Sequence, residues 1–296
     1  MRRVAGGGSA LPPALGLIVA AVALAALACG ADREEADETI RLRFEYSEGD
    51  TLRYAYHASG TAVFPDTAAG DERVERPFER TMEIEEVATD VTPAGHYELA
   101  LVYHIRPDSL HRDKGPQEIR LRLEITPQGR ILDVTGVETA RPLYGEIDFQ
   151  SYFEQSQPVF PDRGLEVGDS WTQEVKVVSP ESEPVVTSST YVLEEVIEEG
   201  GRELAVIGYD GDIYLPVRYT PPSDSAPGEE DRTTSIEERI RVRGQIYFDH
   251  AAGVMRRVEA KAEATFTRRG FRDGEPVRRE MKIREESTME LISADR

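Results

Sequence analysis

The feature that most constrains the fold of this chain is a strict alternation of apolar and charged side chains. It is clearest in three short segments, at 40–46, 119–125 and 240–246. Successive side chains of a β-strand point to opposite faces, so the pattern predicts strands with one face on a core and the other in water. It also favours antiparallel pairing, because parallel strands are usually buried on both faces. Less regular alternation predicts further strands at 52–64, 81–91, 97–105, 171–178, 188–197, 203–209, 213–219, 254–266 and 281–292.

The connections between these segments indicate a meander. Three short connections, at 92–95, 126–129 and 249–253, end in glycine and predict hairpin loops. Residues 142–157 carry an apolar stripe at helical spacing, which predicts one short helix that is either a lid on a concave sheet or a cap over a core. The polar segment 221–233 predicts a surface loop. We therefore expect a mostly β fold: a long-stranded antiparallel meander that forms a curved sheet or open barrel, with one short helix between two halves.

The first residues have the organisation of an export signal. Arg2 and Arg3 precede a charge-free apolar run at 15–28, which is shorter than the roughly 20 residues needed to span a bilayer. The run ends at Cys29, the single cysteine of the chain. Because a lone cysteine cannot form an intramolecular disulfide, a role in attachment to the membrane is the better explanation of its position.

Residues 26–30 (ALACG) resemble the lipobox of bacterial lipoproteins, in which the cysteine is acylated and becomes the mature N-terminus. The resemblance implies a signal peptide at 1–28, a lipidated tether at 29–39 and a β domain at 40–296. Acyl chains on Cys29 would hold the protein to a membrane of the bacterial cell envelope. The residue after the cysteine is glycine rather than aspartate, which by the same resemblance favours the outer membrane.

A local motif occurs twice in the chain. Gly49 and Asp50 form the first copy, and Gly168 and Asp169 form the second, in which Trp171 is the large apolar residue that follows. The motif has a structural use as a turn into a strand, where the aspartate accepts hydrogen bonds from backbone N–H groups. A ligand-binding role for the aspartates is the alternative.

The two copies also indicate an internal duplication. Each copy is followed at a similar distance by a hairpin glycine, Gly129 in the first case and Gly253 in the second. We therefore predict two related halves near 40–140 and 159–293, joined by the helical connector 142–157.

The second copy carries a family resemblance. Residues 160–171 (FPDRGLEVGDSW) resemble the Pro…Val-Gly-Asp-Ser-Trp segment of a bacterial envelope lipoprotein family of unknown function. The predicted architecture is also loosely similar to lipoprotein-carrier-type folds, in which a curved antiparallel sheet wraps around a helix. The resemblance implies an envelope location and this fold, and it supplies no catalytic residue.

Charge and motif content exclude several classes of function. The formal net charge of −21 opposes binding of nucleic acid or anionic headgroups, so no nucleic-acid partner is expected. The chain contains no nucleophile elbow, zinc-protease motif, P-loop or dinucleotide fingerprint. We therefore predict no catalytic residue and no cofactor.

Two segments contain residue types that can bind a metal ion. His104 and His111 lie close to Asp108 and Asp113, but the spacing matches no common ligand pattern and neighbouring basic residues oppose a cation. The Asp-Gly-Asp segment 210–212 lacks the further ligands of an EF-type calcium loop, so a turn is the preferred interpretation. We predict no metal site.

These observations favour a non-enzymatic, lipid-anchored envelope protein. Two versions differ in their partner: a carrier binds a lipid or other apolar ligand on the concave sheet, whereas a scaffold has a filled core and binds an envelope protein. An enzyme is the third alternative, and it would require a cleft of convergent polar groups with shifted pKa values.

Overall fold

The computed structural model describes residues 39–65, 73–107, 115–140, 147–179, 182–219, 234–272 and 275–296. Within these ranges the chain forms eleven β-strands, a short 3-10 helix at Val137–Thr139 and the helix α1 at Phe149–Ser156. No helix in these ranges is long and apolar enough to cross a bilayer. The strands are β1 (Thr51–Pro65), β2 (Arg73–Val91), β3 (Tyr97–Ile105), β4 (Gln117–Ile125), β5 (Ile131–Thr135), β6 (Ser170–Ser179), β7 (Ser182–Glu199), β8 (Arg202–Tyr219), β9 (Thr234–Asp249), β10 (Val254–Arg272) and β11 (Glu275–Asp295).

All eleven strands belong to one antiparallel sheet in the order β5-β4-β3-β2-β1-β11-β10-β9-β8-β7-β6. The sheet consists of two meanders, β1–β5 and β6–β11, which join where β1 pairs with β11. The outer strands are β5 and β6. The predicted fold class, a mostly β antiparallel meander with one short helix, is confirmed.

The sheet curves strongly on itself. Tyr103 of β3 and Tyr191 of β7 line the same small cavity, although seven strand spacings separate β3 from β7. In a flat sheet those spacings would place the two strands about 34 Å apart. Small buried side chains on the central strands leave room for this curvature; they include Ala58, Ala62, Ala260, Ala262 and Ala264.

The strands form where the sequence alternates. In β3, Tyr97, Leu99 and Leu101 are buried on the concave face while Glu98 is exposed, and the strand has the predicted bounds. The hairpin loops predicted at 92–95, 126–129 and 249–253 separate β2 from β3, β4 from β5 and β9 from β10. The loop predicted at 221–233 lies outside the described residues.

The prediction of a strand at 40–46 is wrong. Leu42 and Phe44 are buried, as the alternation requires, but the segment joins no ladder beyond an isolated bridge between Ile40 and Leu165. Its backbone bonds to hairpin loops instead: the N–H of Phe44 donates to the carbonyl of Pro127 at 2.7 Å. The segment is an extended plug across one end of the concave face. One of its sides faces the core and the other faces water, so its burial alternates as in a strand of a sheet.

The plug has an aromatic centre. The Phe44 ring stacks on Phe160 with the centroids 5.3 Å apart and meets Phe248 edge-on at 5.5 Å. All three rings are almost fully buried. A Cβ atom at Gly129, where φ is +90°, would lie 2.7 Å from the Phe44 ring, so this hairpin needs glycine to pack against the plug.

The turn predicted at 210–212 is also wrong, because the segments 203–209 and 213–219 form one continuous strand, β8. Asp210 and Asp212 lie on the convex face, where Asp210 pairs with Arg241 of β9 at 3.1 Å. Gly211 faces inward against the side chain of Ser189 and leaves no space for a Cβ atom. The acidic residues therefore follow the strand alternation, and the glycine reflects close packing.

The helix is shorter than the prediction of 142–157. Asp148 is its N-cap and accepts a hydrogen bond from the backbone N–H of Ser151 at 3.2 Å. Gln157 has extended backbone angles and ends the helix. Residues 142–146 lie outside the described residues.

Candidate functional site

A cavity of about 130 Å³ lies between α1 and the concave face of the sheet. Its lining is rich in aromatic and thioether side chains: Met82, Met255 and Met289 contribute, together with the tyrosines Tyr56, Tyr103, Tyr152, Tyr191 and Tyr209. An apolar cavity of about 150 Å³ in another protein holds one benzene molecule, so this cavity is large enough for the end of a single acyl chain. A larger ligand would require α1 to move.

The helix is attached to one side of the sheet through side-chain amides. Gln155 is buried; its Nε2 donates to the carbonyl of Tyr214 at 3.1 Å, and its Oε1 accepts from the Tyr214 N–H at 2.7 Å. The pairing of β8 with β7 ends at Gly211. At Tyr214, further along β8, the Gln155 amide makes the hydrogen bonds that a neighbouring strand would make. This contact fixes α1 to β8.

A second attachment holds the C-terminal end of α1 to the outer strand β6. The Gln173 Nε2 donates to the carbonyl of Glu154 at 2.6 Å, and its Oε1 accepts from the N–H of Val159 at 3.0 Å. The Trp171 indole donates to the Val159 carbonyl at 3.0 Å. Trp171 also stacks on Tyr191, which lines the cavity, with centroids 5.4 Å apart. The single tryptophan therefore lies one ring away from the cavity.

The two Gly-Asp turns make the same backbone contacts. The N–H of Gly49 donates to the carbonyl of Ala88, and the Ala88 N–H donates back to the carbonyl of Asp50; Gly168, Leu193 and Asp169 repeat this exchange. Each aspartate side chain also accepts from the N–H three residues earlier, at 2.9 Å for Asp50 and 3.2 Å for Asp169. These contacts describe a turn that leads into β1 or β6. The halves 40–140 and 159–293 remain a prediction.

Asp50 and Asp169 differ in their surroundings. Asp50 is buried and lies 3.4 Å from the Arg296 guanidinium. Asp169 is more exposed, and hydrogen bonding by Arg163 holds the pKa of its carboxyl below its usual value. Neither aspartate lines the cavity under α1.

A buried polar group, which we call the acid cluster, lies beside the cavity. It consists of Glu238, Glu285, Arg80, Tyr56 and Ser287. The Tyr56 hydroxyl donates to Glu285 Oε1 at 2.7 Å, and an Arg80 Nη atom lies 3.8 Å from Glu285 Oε2. Glu238 and Glu285 are only 1% and 3% exposed, which is rare for carboxylates in a protein core.

Burial dominates the electrostatics of this cluster. It raises the pKa of Glu238 well above the usual value; Arg80 opposes the rise and Glu285 adds to it. Burial also raises the pKa of Glu285, against the effects of Arg80 and of the hydrogen bond from Tyr56. Removing a carboxylate from water disfavours its charged form, so burial shifts Glu238 towards its protonated form in the folded protein.

The sequence analysis missed the acid cluster, although a signal was present. Glu238 lies two residues from Ile236 and from Ile240, on the buried side of the alternation. Glu285 stands in the same relation to Ile283, and Arg80 lies between two buried apolar positions of β2. A charged residue at an apolar position of an alternating strand is the pattern that would have identified these residues.

A larger groove of about 970 Å³ is lined mainly by residues of the convex face, and Glu285 of the acid cluster also contributes to its lining. Its rim carries charged side chains that pair across strands: Lys261 with Glu286 at 2.7 Å and Arg284 with Glu263 at 3.6 Å. These ion pairs are largely exposed, so the groove is a solvated charged surface and contributes little to stability.

The remaining predicted site residues lie elsewhere. Cys29 and the segments 1–28 and 29–38 are outside the described residues, as are Asp108, His111 and Asp113 of the histidine-containing loop. His104 lies on β3 beside Glu118 at 3.5 Å. The part of the chain that the structure describes contains no group of three or more potential metal ligands.

No protein-family model and no curated protein sequence matches this chain. Among solved structures, one of lipid–protein interactions in lipovitellin matches with a TM-score of 0.40 and 14% identity. The match covers 85% of this chain and 26% of the lipovitellin chain. A protein from Bacteroides fragilis with a YmcC-like fold matches with a TM-score of 0.21 and 7% identity, over 86% of this chain and 100% of that protein. Similarities at this level carry no argument about function.

Proposed function

We propose that this chain is a non-enzymatic, lipid-anchored protein of the bacterial envelope that binds an apolar ligand in the cavity under α1. The observation that carries the proposal is the cavity itself: about 130 Å³ lined largely by tyrosine, methionine and aliphatic side chains. Ligand sites are typically concave, mostly apolar and supplied with a few polar groups, which the tyrosine hydroxyls provide here. Acylation of Cys29 would attach the protein to the membrane, in our proposal the outer membrane.

In this proposal α1 is the gate of the cavity. The contacts of Gln155 and Gln173 hold the helix to β8 and β6, which lie in one arm of the sheet. The helix can therefore move away from the other arm while these contacts act as a hinge. Such a movement would enlarge the cavity for a ligand with a longer apolar chain.

The first test is native mass spectrometry of the full-length protein, purified as the cell exports it and kept free of detergent. A stoichiometric apolar mass on the protein supports the carrier, and the same spectrum shows whether Cys29 bears acyl chains. A protein mass without any bound molecule opposes a resident ligand and favours the scaffold alternative. A mass without acyl chains contradicts the anchor.

A titration with octanol tests the site directly. Trp171 is the only tryptophan and stacks on a residue of the cavity wall, so its fluorescence should change on binding. Val258→Phe places a ring in the cavity and should abolish the change, whereas Val196→Phe, on a residue that is 38% exposed, should preserve it. Equal responses of the two variants would show that octanol binds elsewhere.

The scaffold alternative has a specific observation in its favour. Val178 and Val186 are 58% and 60% exposed on β6 and β7, next to an open edge of the sheet. Exposed apolar residues beside an unpaired strand are suited to contact with another protein. In that case Val186→Lys would weaken capture of the partner and leave octanol binding unchanged.

A further inference from the structure

The acid cluster has fewer hydrogen-bond donors than its buried oxygen atoms can accept. Three of its buried oxygen atoms have no hydrogen-bond partner among the described residues: Glu238 Oε1, Glu285 Oε2 and Ser287 Oγ. The residues that carry them are 1%, 3% and 6% exposed. The Ser287 hydroxyl can donate to Tyr56, whose pKa this hydrogen bond lowers, but its lone pairs and the two carboxyl oxygens remain without a donor. Buried polar atoms of native proteins almost always have a partner, so these atoms indicate a missing group.

The cluster also has two carboxyl groups and one basic group. Arg80 is the single cation that bears on either carboxyl within the described part of the chain. A group that complements the cluster should therefore carry a positive charge and several N–H or O–H donors. A primary ammonium group has one charge and three donors. It can donate to Glu238 Oε1 and Glu285 Oε2, and its charge takes the place of the proton that burial favours on Glu238.

The cluster continues from the wall of the cavity. Met289 lines the cavity, and Ser287 and Glu285 follow it on the same face of β11, each about 7 Å further along the strand. Tyr56 joins the two regions, because its ring lines the cavity while its hydroxyl donates to Glu285. A ligand with its apolar part in the cavity would place a head group at the end of its chain next to this cluster.

We propose that the acid cluster binds the amino head group of an apolar ligand, so that the ligand class is a primary alkylamine or a lipid with a primary amine. The proposal rests on the proposed function, since the cavity under α1 receives the apolar part. The ammonium group donates to Glu238, Glu285 and Ser287, while Tyr56 and Arg80 keep Glu285 in place. Burial of the resulting ion pair inside the sheet makes recognition of the charge strong.

Three probes of equal chain length separate the head group from the apolar part. Octylamine, octanol and octanoate are titrated into the full-length detergent-free protein near neutral pH, with Trp171 fluorescence as the readout. We expect octylamine to bind about tenfold more tightly than the other two, as a charge-assisted contact in a buried site requires. Glu238→Gln and Glu285→Gln should each remove most of this preference without affecting octanol. Glu263→Gln, on an exposed carboxylate of the neighbouring strand, should retain it.

The outcomes distinguish this inference from the proposed function. Equal binding of the three probes, or an amine preference that both glutamine variants retain, overturns the head-group assignment while octanol binding still supports the cavity. Failure of all three probes overturns both proposals. Circular dichroism checks the fold of the variants, and Ser287→Ala provides a milder change at the same place if a glutamine variant does not fold.

Discussion

The strongest quantitative prediction concerns the stability of Glu238→Gln as a function of pH. Glu238 is 1% exposed, and burial raises the pKa of its carboxyl well above the ordinary value of 4.5. Arg80 of β2 and Glu285 of β11 are the charged groups that act on it among the described residues, and Tyr56 of β1 donates a hydrogen bond to Glu285. Above the ordinary pKa, the unfolded chain releases this proton while the folded protein keeps it. The folded state therefore loses stability as the pH rises, until the pH reaches the raised pKa.

The magnitude follows from proton linkage. One proton held only by the folded state reduces the free energy of unfolding by about 1.4 kcal/mol for each pH unit. Glutamine has the shape of a protonated glutamate but does not titrate, so this loss is absent from Glu238→Gln. We expect the two proteins to have similar stability near pH 4 and the variant to gain on the wild type by about 1.4 kcal/mol per pH unit above roughly pH 5.

Urea unfolding at a series of pH values measures this difference, with Trp171 fluorescence and circular dichroism as two independent signals. The difference between variant and wild type is the relevant quantity, because carboxyls outside the acid cluster titrate equally in both. Glu263→Gln is the control: its side chain is 75% exposed, and its difference from wild type should stay nearly constant. A constant difference for Glu238→Gln, or a variant that loses stability relative to wild type as the pH rises, would refute the argument.

Two further predictions concern the plug and the turns. Phe44→Ala should lower the free energy of unfolding by about 3–5 kcal/mol, because the ring is 1% exposed, whereas Arg43→Ala on the exposed side should cost less than about 1 kcal/mol. Urea denaturation compares them, and equal losses would contradict a buried role for the plug. Asp50→Ala should cost about 1–2 kcal/mol, since the buried carboxylate accepts from the Ser47 N–H and lies near Arg296. Asp169→Ala should lower the melting temperature less, and the reverse order would show that exposure does not govern these turns.

Much of the secondary structure could be predicted because one face of most strands is in water. Alternation then marks each strand directly, as in β3, where the predicted and observed bounds agree. The same rule failed at 40–46, since an extended plug with one buried side alternates like a strand but pairs with loops. It also failed at Gly211, where a glycine that suggested a turn is instead a position of close approach to Ser189.

The joining of the two meanders and most of the site could not be predicted. Nothing local in β1 or β11 identifies them as partners, because their pairing depends on the curvature of the whole sheet. The attachment of α1 depends on Gln155, a polar residue whose burial becomes meaningful only once β8 lies beside it. The acid cluster was detectable in principle, since Glu238 and Glu285 interrupt the apolar side of their strands.

The pairing of β1 with β11 at the centre of the sheet has a consequence for the order of folding. Hairpins within each meander close short loops and can form as soon as their strands are available. The central ladder, by contrast, joins Thr51 to Asp295, so more than two hundred residues must be present before it can close. Until then each meander exposes a long unpaired edge, which is a hazard for aggregation. The edge of β1 therefore needs protection while the rest of the chain is being made, and dependence on a chaperone should be greatest before β11 emerges.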